Sequence, residues 1–402
     1  MSVPIIVKMC YSNFRQVIKM LRFLTAGESH GPGLTAILEG MPAGLKIDPK
    51  KINHELGRRQ AGYGRGGRMK IEKDEVKITA GIRFGTTLGS PIAFFVENLD
   101  WPNWVKIMSQ EEISERIPPV THLRPGHADF AGLVKYGQRD IRNILERASA
   151  RETAMRVAVG AICRQFLENF DLAILSFVTN IGGIEAVVRS KTIKDLKMVV
   201  ENSPVRTPDK SAEKQMIARL DRVRQAGDSV GGIFEVIVEG VPPGLGSCMH
   251  WDRRLSGQLA AAIMSIPSVK GIEIGAGFEA ANYTGSEIHD EIFIGKKGIY
   301  RRTNNAGGLE GGMTNGEPLV LRAAVKPIAT IKKQLQSVDV HAGKPARSHF
   351  ERSDVCVVPA AGVVAEAMVA FVLASAFLEK FGGDSIKETI RNYKEYLKNL
   401  PF

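Results

Sequence analysis

The chain has few cysteines, few aromatic residues, few acidic residues relative to basic ones, and a single long apolar run. Its four cysteines (Cys10, Cys163, Cys248 and Cys356) are spread over 402 residues with no C-x-x-C spacing. That pattern excludes a disulfide scaffold and a zinc module, and points to a reducing, cytoplasmic setting. Metal ligation has little support, because His341 and His349 stand eight apart without a carboxylate at ligand spacing and no H-x-x-x-H occurs. Aromatics make up 7% of the chain, too few for the stacking platform that a single-stranded nucleic-acid binder needs. Residues 1–20 mix Lys and Arg with short apolar pairs and show neither a continuous apolar stretch nor a small-residue cleavage site, which argues against a secretory signal. Residues 1–19 are expected to be a mobile extension, 20–385 one domain without internal linkers, and 386–402 a charged, amphipathic surface helix.

What the chain does have is positive charge and glycine. Its 54 Lys and Arg against 43 Asp and Glu give a net charge of +11, which implies an anionic partner. Glycine numbers 41 of 402 residues, about 10%, against a usual ~7%. The run Pro359–Leu378 is long enough to span a bilayer but carries Glu366 near its middle, so a helix buried on all sides within the protein is the better reading. Strand-like alternation appears at 21–26, 34–40, 76–82, 90–97, 172–178, 232–239, 272–276 and 318–326. Ser149 and Glu152 have capping-box spacing before a helix, Pro208 is placed at a first helical position, and Asp252 is read as a cap for 253–265. Strands and helices alternate without a βαβ rhythm, so the fold class is α+β with antiparallel sheets.

The candidate chemistry is spread along the chain. G-R-R-Q-A-G-Y-G-R-G-G-R (57–68) holds Arg58, Arg59, Arg65 and Arg68. Its G-x-G-x-x-G match is not a dinucleotide fingerprint, because a helical segment precedes it and no helix pattern follows. It reads as a loop of guanidinium forks for phosphate or carboxylate. His30 in G-E-S-H-G and His127 in R-P-G-H-A-D sit in glycine-flanked turns, suited to proton transfer beside an anion. E-R-A-S-A-R-E-T brings Arg147, Ala148 and Ser149 to a helix start, N-N-A-G-G-L-E-G-G (304–312) is a second glycine loop, and K-P-I-A-T-I (326–331) sets Lys326 before Thr330. R-S-D-V-C sets Arg352 beside Asp354, either an ion pair or a base. Together these residues describe a site for a small, multiply charged anion plus a phosphorylated cofactor.

Three long segments, G-E-S-H-G-P-G-L-T-A-I-L-E-G-M-P-A-G (27–44), E-R-A-S-A-R-E-T-A-M-R-V-A-V-G-A-I (146–162) and R-S-D-V-C-V-V-P-A-A-G-V-V-A-E-A-M (352–368), resemble the signatures of the chorismate synthase family. R-P-G-H-A-D, Q-A-G-D-S-V-G-G, G-V-P-P-G-L-G and V-K-G-I-E-I-G-A-G-F fall between them in the family's order. The resemblance implies a β-α-β sandwich with helices packed between antiparallel sheets, and a homotetramer. It also implies a 1,4-anti elimination of phosphate from 5-enolpyruvylshikimate 3-phosphate, the last common step toward the aromatic amino acids. Reduced FMN is the cofactor it implies, with NADPH as a source of reducing equivalents. An outside flavin reductase is expected, since no reductase-like segment is present; neither nucleic acid nor membrane is expected as a partner. By resemblance His30 is a general acid near the leaving phosphate, His127 the histidine facing the reduced flavin, and Asp354 the residue assisting proton removal. Flavin contacts fall on Arg147, Ala148, Ser149, Pro267, Ser268, Gly311, Lys326, Pro327, Ile328, Ala329, Thr330 and Arg352. Arg59 and Arg65 match positions assigned to a nicotinamide nucleotide phosphate or, in a monofunctional enzyme, to substrate. Pro267-Ser268 stands where the family often has Asn-Ala, and Ala329 where a hydroxyl is common.

Overall fold

The computed structural model describes residues 21–66, 72–189, 192–295, 298–351 and 354–401. The expected extension 1–19, Arg68 and Arg352 lie outside the described residues.

The first sheet comprises β1 (Arg22–Ala26), β2 (Gly33–Glu39), β3 (Val76–Ala80) and β6 (Ile92–Glu97), in the order β1-β2-β6-β3. Alternation sets its faces: Ile92, Phe94 and Val96 point inward from β6, and Phe94 lies opposite Ala36 of β2. The second sheet contains β7 (Ala173–Ile181), β8 (Ile184–Glu185), β9 (Gly232–Glu239), β10 (Val269–Ile274) and β15 (Leu319–Val325), in the order β10-β15-β9-β7-β8. Every pairing in both sheets is antiparallel. Four two-stranded ribbons complete the strands: β4–β5 (Ile82–Arg83, Thr86–Thr87), β11–β12 (Ile292–Gly295, Gly298–Arg301), β13–β14 (Leu309–Glu310, Met313–Thr314) and β16–β17 (Gln336–Asp339, Lys344–Arg347).

The helices are α1 (Pro49–Gln60), α2 (Asp129–Tyr136), α3 (Arg142–Ala148), α4 (Thr153–Leu167), α5 (Ile193–Glu201), α6 (Lys210–Gln225), α7 (Leu255–Met264), α8 (Gly285–Ile288), α9 (Val358–Phe381) and α10 (Ile386–Lys398). Helix α4 lies on β1 and β2, α9 lies on β7 and β9, and the two helices pack against each other. The layers therefore run sheet, helix, helix, sheet, as the α+β sandwich expectation requires. Both central helices are covered on opposite faces, which is why their apolar residues show no narrow stripe. Close approach has a local cause: a Cβ on Gly160 of α4 would lie 2.3 Å from the Ala367 Cβ of α9.

Glu366, in the third turn of α9, is fully buried and is the centre of a charged cluster. It accepts from the Ser176 N–H at 2.8 Å and hydroxyl at 2.6 Å, from Arg58 at 2.8 and 2.9 Å, from Arg206 at 3.3 Å, and from Arg164. Burial pushes its carboxyl up, but Arg58, Arg164 and Arg206 more than offset this and hold it well below the usual carboxylate range. The cluster explains how an anion sits inside a helix long and apolar enough for a bilayer.

Three helix starts differ from expectation. Asp209, not Pro208, opens α6: its carboxylate accepts from Ser211 at 2.8 Å and Ala212 at 3.1 Å, leaving Pro208 outside the helix. Asp252 belongs to a short 3-10 turn (Trp251–Arg253), so α7 begins only at Leu255. Ser149 forms no capping box, because Glu152 pairs with Arg156 at 2.8 Å; Ser149 instead accepts from the Arg151 N–H across a 3-10 turn. At the far end, Ser385 and Glu388 do form a capping box for α10, which docks Tyr393 and Tyr396 onto the Phe381 ring.

Candidate active site

Distant segments meet around a cavity of about 720 Å³. The β1–β2 turn contributes Ser29 and His30, the end of α1 Arg59, and the following loop Arg65 and Gly66. Arg124 and His127 precede α2, while Ala148 and Ser149 end α3. Pro267 and Ser268 lead into β10, and Lys326, Ile328, Ala329 and Thr330 follow β15. Asp354 stands just before α9, whose preceding Val357 and helical Ala360, Ala361 and Val364 make an apolar wall. The lining thus joins five cations (Arg59, Arg65, Arg124, Arg151 and Lys326) and three acids (Asp100, Glu351 and Asp354) to an apolar wall, and its volume is within the ~300–1,000 Å³ usual for small-molecule sites.

His30 is fixed on two sides. Its backbone N–H donates to Glu146 Oε2 at 2.8 Å, and its Nδ1 lies 2.9 and 3.0 Å from the two Glu146 oxygens. Its ring stacks on Trp104 with centroids 3.8 Å apart. A carboxylate only accepts, so Nδ1 carries a proton toward Glu146 and Nε2 is the nitrogen not committed to that carboxylate.

His127 is held in a parallel way. Its Nδ1 lies 2.5 Å from Asp129 Oδ1, and Asp129 is itself forked by Arg124 at 2.8 Å to each oxygen. Arg124 Nη2 also lies 3.0 Å from His127 Nδ1. Both nitrogens are donors and both face the Asp129 carboxylate, so that short distance is two donors sharing one acceptor. Burial pushes the Asp129 carboxyl up, yet the hydrogen bonds from Arg124 and His127 outweigh it and hold the group well below the carboxylate range. Nε2 of His127 is again the nitrogen not committed to a carboxylate.

Several cations of the lining stand among their own partners. Arg59 donates to the Thr153 hydroxyl at 2.9 Å and the Ala150 carbonyl at 2.9 Å, and sits 3.4 Å from Asp74. Burial first, then the neighbouring Arg151 and Arg65, bring its guanidinium down to about 10, against the opposing pull of Asp74 and Asp354. Burial and Lys270 likewise lower Lys326, whose Nζ donates to the Gly126 carbonyl at 2.7 Å. Asp354 pairs with Arg65 at 2.7 Å and accepts from the Gly66 N–H.

Most of the expected site residues therefore converge: His30, His127, Asp354, Arg59, Arg65, Ala148, Ser149, Pro267, Ser268, Lys326, Ile328, Ala329 and Thr330 line one cavity. Three do not line it. Arg147 turns outward and donates to the Thr25 and Gly27 carbonyls. Pro327 is skipped between its neighbours, and Gly311 sits in the β13–β14 turn near Cys248. Arg58 is not a loop guanidinium: it belongs to the last turn of α1 and is spent on Glu366, Glu201 and Glu55. Sequence reasoning missed Trp104, Glu146 and Asp129 as parts of the site. Asp129 and Glu146 lie inside quoted motifs, where their nearness to the histidines was legible only for Asp129.

A family model described as chorismate synthase matches residues 21–378. The chorismate synthase of Geobacter sulfurreducens is 55% identical over 389 residues, covering 94% of this chain and 99% of the relative. That of Aquifex aeolicus is 52% identical over 393 residues, covering 95% and 99%. The chain belongs to the chorismate synthase family. A crystal structure of chorismate synthase superimposes with a TM-score of 0.77 at 46% identity, covering 94% of this chain and 98% of that one. The chorismate synthase match includes all three histidine- and aspartate-bearing segments that meet at the cavity.

Proposed function

We propose that this cavity converts 5-enolpyruvylshikimate 3-phosphate to chorismate and phosphate by a 1,4-anti elimination, with reduced FMN as cofactor. The observation that carries the reading is the meeting of His30, His127 and Asp354 on one cationic cavity. The lowered Arg59 and Lys326 fit the same reading, because cations whose charge burial disfavours are stabilised by an anionic ligand. A flavin also fits: the α9 wall and Ile266, Pro267 and Ile328 offer apolar surface for a ring, and cations stand nearby for a phosphate. Ala148, Ser149, Pro267, Ser268, Lys326, Ile328, Ala329 and Thr330 are the residues that would hold it.

Reduced FMN supplies an electron-rich partner that no side chain offers and returns to its starting state. The chain's own residues do the rest. Arg59, Arg65 and Lys326 neutralise the substrate's carboxylates and phosphate in a desolvated site. His30, protonated at both nitrogens, gives its Nε2 proton to the departing phosphate oxygen as the C–O bond breaks. Asp354 stands beside Arg65 and assists removal of the ring proton whose electron pair becomes the new double bond. His127, its Nδ1 held by Asp129, presents Nε2 to the cofactor.

The same reading places the protein in the cytoplasm as a homotetramer, with NADPH or another donor acting through an external flavin reductase. Exposed apolar side chains on the β11–β12 ribbon, Ile292 at 61% and Ile294 at 76%, support assembly. A flavin contact from Gly311 would then have to serve a neighbouring subunit's cavity. Anaerobic phosphate release from 5-enolpyruvylshikimate 3-phosphate, with and without dithionite-reduced FMN, tests the proposal. Many phosphates per reduced flavin are expected. Release that needs no flavin, or consumption of one reductant per product, would overturn it.

A further inference from the structure

Glu146 has no role in the chemistry above, yet it is the most constrained group next to His30. It is buried at the third-last position of α3, with its side chain 1% exposed against 13% for His30. Both of its oxygens lie within 3.0 Å of His30 Nδ1, one also takes the His30 backbone N–H, and the other takes Arg142 Nη1 at 3.2 Å. Arg142, one turn earlier on α3, lies over Trp104 as well, 5.3 Å from the ring centroid. Trp104 fixes the plane of the imidazole; Glu146 fixes its rotation within that plane.

We propose that Glu146 is the positioning residue of His30, setting the proton on Nδ1 and stabilising the imidazolium, so that Nε2 donates into the cavity. The proposal rests on the elimination reading above, in which His30 protonates the departing phosphate. A carboxylate in that place removes the alternative tautomer, since Nδ1 facing two acceptor oxygens must be a donor. It also pairs the positive charge that His30 carries before each proton transfer, at a depth where such pairing is strong. An amide cannot do both. Gln has one acceptor oxygen and one donor nitrogen for three incoming donors, so either Nδ1, the His30 N–H or Arg142 meets an N–H group.

Two arms separate this proposal from the reading it rests on. In the first, Glu146→Gln lowers kcat by about 10²-fold with KM and FMN affinity unchanged, and Glu146→Asp recovers activity to within roughly tenfold of wild type. The decisive comparison is the double mutant: in a His30→Ala background, Glu146→Gln costs less than about threefold, because the two act as one unit. An equal loss in both backgrounds overturns the positioning role even though the elimination stands. The second arm needs no turnover. In protein labelled with ¹⁵N-histidine and held at a pH high enough to remove the second imidazole proton, the His30 signals, assigned by their loss in His30→Ala, show the Nδ1–H form in wild type and a mixture or the Nε2–H form in Glu146→Gln. An unchanged tautomer in the variant overturns the proposal whether or not phosphate is released. If Glu146→Gln does not fold, Glu146→Asp in both backgrounds carries the first arm: its loss, up to about tenfold, must shrink below about threefold without His30.

Discussion

Arg58 and Arg59 are neighbours in the last turn of α1, both buried, and they meet opposite surroundings. Arg58 faces three carboxylates, Glu55, Glu201 and Glu366. Burial pulls its guanidinium down, but those carboxylates more than reverse this and push it above its ordinary value. Arg59 faces Asp74 together with Arg151 and Arg65, and comes down to about 10. One side of the helix turn is an ion cluster completed by the protein itself. The other mixes Arg59, Arg65 and Arg151 with Glu72, Asp74 and Asp354, and it borders the cavity, where burial rather than pairing dominates the Arg59 charge. A guanidinium fully forked by carboxylates inside the chain serves the fold; one that burial disfavours, with a single carboxylate at 3.4 Å and a cavity beside it, is poised for an anion.

The largest effects should fall on the cavity side and spare stability. His30→Ala and His127→Ala are each expected to lower turnover by ~10²-fold or more, with urea midpoints shifted less than by the loss of Arg58. Wild-type rates in either would remove that histidine from the chemistry. Asp354→Ala should still bind FMN while losing turnover; loss of FMN binding instead would make Asp354 an organiser of Arg65. On the fold side, Arg58→Met should destabilise by about 3–5 kcal/mol, because it strips a partner from a fully buried carboxylate. A change below about 1 kcal/mol in the urea midpoint analysis would show that Arg164 and Arg206 suffice without it.

Acid sharpens the same contrast. The folded Glu366 and Asp129 carboxyls sit below their ordinary values of 4.5 and 3.8. Each therefore stabilises the fold fully above its unfolded value and loses that contribution as pH falls from there through the folded value. Stability measured by urea midpoints should fall as pH drops below 4.5, and Glu366→Gln should flatten that slope. A slope unchanged in the variant would place the acid sensitivity elsewhere. The smallest expected effect is steric: Gly160→Ala should cost about 1–3 kcal/mol, read as a lowered Tm with turnover per folded molecule retained.

Much of this was legible in the sequence, and the exceptions have physical causes. The strands of the two large sheets other than β8 followed from alternation, with bounds such as Gly232–Glu239 matching the apolar pattern, whereas β8 and the four short ribbons are too short or too exposed to show one. The buried helix at 358–381 was readable because Glu366 made a bilayer span costly, but its partners Arg58, Arg164 and Arg206 come from three distant segments that no local pattern links. Helix starts failed where several capping residues competed, as with Pro208 and Asp209. For the site, motifs located the histidines and Asp354, whereas Glu146 and Trp104 were invisible because their roles depend on which side chain lands beside His30. Arg58 and Arg59 look identical in sequence and were separated only by the direction each takes from the helix.

Arg59→Met, measured in parallel with Arg58→Met, tests that separation most directly. Urea unfolding without ligands and anaerobic phosphate release with reduced FMN are read on the same two proteins. The account predicts that Arg59→Met destabilises clearly less than Arg58→Met, since Asp74 keeps Arg151 as a partner whereas Arg58 serves three carboxylates, yet loses substrate affinity or turnover by ~10²-fold. Arg59→Met unfolding as readily as Arg58→Met, or turning over substrate at the wild-type rate, would contradict it.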